Sequence, residues 1–73
     1  MKKKKVLIVD DEKDLAKTLV LLLETRGYAV DVAETGQQAL QKAAQKPDIV
    51  LLDLVLPDIS GFEICRKLRE QKD

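Results

Sequence analysis

Two apolar runs in this chain each stop abruptly on carboxylates: Val6-Leu7-Ile8-Val9 on Asp10-Asp11, and Ile49-Val50-Leu51-Leu52 on Asp53. Runs of four such residues, rich in β-branched side chains, read as buried strands. A buried strand that ends on unpaired charge is costly unless the charge has a task, because desolvated carboxylates must be paired or neutralised. If the two strands lie parallel, all three acids reach one edge of a sheet, the edge where α/β proteins place their sites. Three clustered carboxylates repel one another, and a hard divalent cation with oxygen ligands relieves that repulsion. The pattern therefore predicts an acidic Mg2+ pocket formed by Asp10, Asp11 and Asp53.

The rest of the chain alternates strand and helix three times, as in βαβ units built on a parallel sheet. A first strand is expected from Lys5 to Val9. A first helix follows from Glu12 to Arg26, with Leu15, Leu19, Leu22 and Leu23 on its apolar face and Gly27 as its stop. A second strand, Tyr28 to Ala33, carries Asp31 as a half-exposed edge strand would. Thr35-Gly36-Gln37-Gln38 has the form of a capping box. The helix it opens buries Ala39, Leu40, Ala43 and Ala44, and Pro47 ends it. The third strand, Ile49 to Asp53, shows no polar alternation and is expected to be covered on both faces. Ser60-Gly61-Phe62-Glu63 forms a second capping box at the start of a third helix. Asp10 or Asp11 also suits the N-cap of the first helix, and Glu12 suits its first turn.

The segments Val6–Glu12, Pro47–Asp53 and Leu54–Gly61, the last containing Pro57, resemble the receiver domain of bacterial two-component response regulators. The resemblance spans essentially the whole chain, residues 1–73 as one domain, and its combined motifs are highly specific. It implies a flavodoxin-like α/β fold, β1α1β2α2β3α3, with parallel strand order 2-1-3 through right-handed crossovers. It implies Asp53 as phospho-acceptor, Mg2+ held by Asp10, Asp11, Asp53 and the main-chain carbonyl of Val55, and a sensor histidine kinase as partner. Asp53 would attack a phosphoryl group in line, with the metal neutralising developing charge. A complete receiver continues for two further strand–helix units bearing a Thr or Ser and a Lys in the site. The chain resembles the first three-fifths of such a domain, so phosphorylation is expected to be impaired. Loss of one preorganised charge donor costs on the order of 10²–10³ in rate.

Composition limits the alternatives. Thirteen basic and thirteen acidic residues give zero formal net charge, without the basic surplus of a nucleic-acid binder. The run Lys2–Lys5 reads as a solvated lead into the first strand. The single cysteine, Cys65, permits no internal disulfide, suits a reducing compartment, and fits a small core position among Phe62, Ile64 and Leu68. No apolar stretch reaches membrane-span length, and Asp10-Asp11-Glu12 interrupts any signal-peptide pattern, so the chain is expected to be cytoplasmic and off the membrane. There is no histidine, no glycine-rich phosphate loop and no Ser/His or Cys/His pair, so the chain is not expected to be an enzyme. An uncovered edge on the third strand predicts a homodimer, with Leu52 in the contact. The alternative to a phospho-acceptor is accordingly a self-associating structural unit without signalling activity.

Overall fold

The computed structural model describes residues 3–52 and 61–71. Within them the chain forms strand β1 (Lys5–Val9), helix α1 (Lys13–Thr25), strand β2 (Ala29–Ala33), helix α2 (Gly36–Ala43), strand β3 (Ile49–Leu52) and helix α3 (Gly61–Gln71). The strands lie in the order β2-β1-β3, all parallel, as expected. Asp53, Val55, Pro57 and Ser60, with the roles expected of each, lie outside the described residues.

The most apolar strand takes the centre. Val6, Leu7, Ile8 and Val9 are all buried, because β1 has a strand on each side and helices on both faces. On one face, Leu7 and Val9 pack with Ala33, Ala39 and Ile64, so α2 and α3 cover that side. On the other, Val6 and Ile8 pack with Ala16 and with the partly buried Leu19, Val20, Leu23, Val30 and Val32. Helix α1 thus covers the β1–β2 half of its face, and no β3 residue belongs to this second cluster.

That placement corrects two expectations. Strand β3 is not covered on both faces: Ile49 and Leu51, in register with Val6 and Ile8, are each 40% exposed. Val50 and Leu52 point to the other face and pack against the first cluster. The buried line of α1 runs through Ala16, Leu19, Val20 and Leu23, at i, i+3, i+4 and i+7, whereas Leu15 and Leu22 are about half exposed. A small residue, Ala16, lets the helix approach the sheet, and the leucines beside it flank the contact. Ala44 is exposed as well, because α2 ends before it.

Local signals set the boundaries. Gly27, at φ +90°, closes α1 in a Schellman arrangement: its N–H donates to the Glu24 carbonyl (3.0 Å) and the Tyr28 N–H to the Leu23 carbonyl (3.2 Å). Tyr28 and Leu23 both pack against the second cluster, which anchors the two ends of this motif to the core. At the start of α2, Thr35 Oγ1 accepts from the Gln38 N–H (3.1 Å). The Gln38 side chain reaches one residue further back than a capping box requires, accepting from the Glu34 N–H (2.9 Å). Lys46, at φ +57°, turns the chain after α2 ahead of Pro47.

Candidate functional site at the carboxyl edge of the sheet

Parallel pairing puts the carboxyl ends of β1 and β3 side by side, with Val9 in register with Leu52. Asp10-Asp11 follows the first of these residues directly in the chain, and Asp53 follows the second. The Asp10 N–H donates to the Ala33 carbonyl (3.0 Å), which holds the chain in line with β1 for one more residue. The Asp10 carboxylate then turns it. Its Oδ1 accepts from the Glu12 N–H (2.9 Å), a side-chain turn that directs the backbone into α1. Glu12 itself is the N-cap residue and makes no side-chain cap. Neither aspartate caps the helix, which corrects that expectation. Asp10 instead shapes the turn before the cap.

Asp10 is half-buried and Asp11 exposed. Among the described residues, no donor reaches the second carboxylate oxygen of Asp10 or either oxygen of Asp11. Those uncommitted oxygens are hard donors of the kind Mg2+ takes, and the ion keeps several waters when few protein ligands are offered. The described residues contain no group of three metal-donor side chains, since the third expected acid, Asp53, is not among them. Beside the two aspartates opens a concavity of about 650 Å³, lined by Asp10, Asp11 and Glu12 with Ile8, Leu15 and Leu51. A polar rim next to an apolar wall suits a small charged group entering from solvent.

Two features were not visible to sequence reasoning. The apolar wall of this concavity depends on which leucines of α1 face β3, and periodicity placed Leu15 in the core instead. The second is an ion pair between Lys42 Nζ and Asp31 Oδ1 (3.0 Å), with Lys42 also donating to the Val32 carbonyl. Its partners sit on consecutive elements, and no spacing rule links a strand residue to a helix residue eleven positions later.

Comparison with known proteins is consistent with this geometry. Residues 6–73 match the family described as the response regulator receiver domain. The chain is 47% identical over 70 residues to the alkaline phosphatase synthesis transcriptional regulatory protein PhoP of Bacillus subtilis, covering 94% of this chain and 29% of that protein. It is 51% identical over 69 residues to the transcriptional regulatory protein CreB of Escherichia coli, covering 93% of this chain and 30% of that protein. The chain thus spans less than a third of the length of these relatives. Among solved structures, the response regulator TrrA of Thermotoga maritima in complex with Mg2+-BeF superposes with a TM-score of 0.89 at 40% identity, over 94% of this chain and 61% of that one. A CheY-like receiver domain from Methylobacillus flagellatus gives 0.86 at 36% identity, over 93% and 58%.

Proposed function

Because the chain belongs to the response regulator receiver domain family, we propose that it carries the phospho-accepting edge of such a domain, with Asp53 as the acceptor. The observation that carries this reading is the register of β1 with β3, Val9 beside Leu52, with acids following both strands directly in the chain. A carboxylate oxygen of Asp53 forms the new bond to phosphorus while the bond from phosphorus to the donor's leaving atom breaks. The product is an acyl phosphate. The donor is the phosphohistidine of a sensor kinase or a small phosphodonor, so the chain acts as an acceptor and not as an enzyme. Asp10, Asp11, Asp53 and the Val55 carbonyl would hold Mg2+, which supplies charge neutralisation at the phosphoryl oxygens when bound. Support for the metal comes from the uncommitted oxygens of Asp10 and Asp11 and from the Mg2+-BeF complex of the Thermotoga protein.

Among the described residues no helix is long and apolar enough to cross a membrane, and the reading places the chain in the cytoplasm. Nucleic-acid contact is not assigned to these residues, although the curated relatives are named as transcriptional regulators. The test is intact-mass analysis after incubation with a small phosphodonor and Mg2+. One phosphate is added to the native chain and none to Asp53→Asn, with the circular dichroism of both chains the same. Label that persists in Asp53→Asn would identify a different nucleophile.

A further inference from the structure

Among the described residues, strand β2 has a neighbour on one side only, so one row of its main-chain groups faces outward. In a parallel ladder, alternate residues turn both main-chain groups toward the same neighbour. The Ala29 N–H donates to the Lys4 carbonyl (2.9 Å) and the Ala33 carbonyl accepts from the Asp10 N–H (3.0 Å), so Ala29, Asp31 and Ala33 face β1. The outward groups of β2 are therefore those of Val30 and Val32. At Val32 both are taken by side chains of the same chain. Its N–H donates to Asp31 Oδ1 (2.8 Å) and its carbonyl accepts from Lys42 Nζ. Lys42 Nζ also donates to Asp31 Oδ1 (3.0 Å), which closes a ring of three hydrogen bonds around one residue of the edge.

The two side chains come from different layers. Asp31 is in register with Leu7, which packs with Ala39 of α2, so its carboxylate lies on the face that α2 covers. Lys42 stands in the last turn of α2 and reaches from there to the margin of the sheet. Stability does not account for the arrangement. The side chains of the pair are 34% and 52% exposed, and an ion pair so open to water contributes little. Position gives it a different importance. A strand docking on this edge would have to bond Val30 and Val32. It could reach Val32 only by pulling the ammonium and the carboxylate off the main chain, leaving both charges without those partners beneath it.

We propose that Asp31 and Lys42 form a guard that keeps the β2 edge from accepting another strand, the β2 strand of a second copy above all. Strand β2 is Ala-Val-Asp-Val-Ala, the same in both directions about Asp31 and apolar elsewhere. In an antiparallel pair centred there, Val30 would face Val32 of the second copy and Val32 its Val30, each pair exchanging two main-chain hydrogen bonds. A palindromic strand is thus its own best partner. Zero formal net charge provides no general repulsion between copies, so the barrier has to be local. The ring around Val32 is such a barrier, because it occupies one member of each pair that the two strands would form.

Sedimentation over a hundredfold concentration range, with amide hydrogen exchange, tests this on the native chain and on a variant carrying both Asp31→Ala and Lys42→Ala. At the lowest concentration the Val32 amide exchanges faster in the variant, since its acceptor is gone. As concentration rises, the variant gains mass relative to the native chain at the same concentration, and its Val30 and Val32 amides slow at least tenfold. In the native chain these two amides do not respond to concentration. Lys42→Arg keeps a cation within reach of both acceptors and behaves as the native chain does. Lys42→Ala alone, which preserves helix propensity in α2, stands in if the double variant does not fold, and gives a smaller rise of the same kind. A variant that matches the native mass at every concentration overturns the proposal. Association that leaves the Val30 and Val32 amides exchanging freely overturns it too. So does a lowered unfolding midpoint with no association, which would reduce the pair to a tie between α2 and β2.

Discussion

Gly27 and Lys46 both occupy the left-handed half of backbone space, at φ +90° and +57°, yet only one of them is a glycine. A Cβ placed on Gly27 would meet nothing within 4 Å, so the cost of Gly27→Ala is conformational and not steric against neighbours. That cost is about 1–2 kcal/mol, the penalty a β-carbon meets in left-handed backbone. Lys46→Gly runs the other way. It relieves the same penalty, and the larger unfolded-state entropy of glycine offsets part of the gain, leaving up to about 1 kcal/mol of added stability. Urea unfolding of the two variants is expected to move the midpoint in opposite directions with unchanged slope. Equal effects of the same sign would show that backbone conformation is not what governs these two positions. Sequence alone identifies Gly27 as a stop signal, but nothing in it marks Lys46. The left-handed turn there follows from how the end of α2 must be joined to β3.

At the scale of elements, α3 is the most informative, because its two apolar extremes lie two residues apart. Ile64 is fully buried between the β1 side chains Leu7 and Val9 and the α2 residue Ala39, whereas Phe62 is 72% exposed. Ile64→Ala is expected to cost about 2–5 kcal/mol, the transfer and cavity terms together. Phe62→Ala is expected to stay within about 0.5 kcal/mol, as for a surface change that touches no special feature. Thermal or urea unfolding decides between them, and a larger loss at Phe62 would mean that α3 is seated the other way round. Hydrophobicity scales rank phenylalanine and isoleucine alike, so the sequence could not order them. A similar limit applied to α1. The leucine spacing gave the helix correctly but chose a face one residue away from the line centred on Ala16. A small residue is what lets a helix lie close to a sheet, and its importance shows only once the sheet is present.

For the whole molecule, the functional expectation depends on parallel strands delivering acids to one edge. Titration of Mg2+ followed by backbone amide NMR is expected to shift Asp10, Asp11, Glu12 and Asp53 and leave Gly27 and Lys46 unmoved. Asp10→Asn is expected to weaken the response, since it removes a charge while the amide oxygen can still accept from the Glu12 N–H. Shifts confined to regions remote from these acids would remove the metal from the site. Near-neutral overall charge makes this a local effect, with no global field to concentrate the ion at other surfaces.

Strand and helix identity, the order of elements and the acids at the strand ends were legible in the residues, because each rests on local chemistry: apolar runs, turn residues and caps. The β2-β1-β3 arrangement followed from the family resemblance and the handedness of crossovers. Coverage of each face was not legible. Ile49-Val50-Leu51-Leu52 is uniformly apolar, and only the position of α1 over β1 and β2 leaves Ile49 and Leu51 exposed while Val50 and Leu52 pack inward. Nor was the ion pair that joins Asp31 of β2 to Lys42 of α2, because its partners lie on two different elements. Burial and edge pairing are properties of neighbours in space, and residues distant in the chain supply those neighbours.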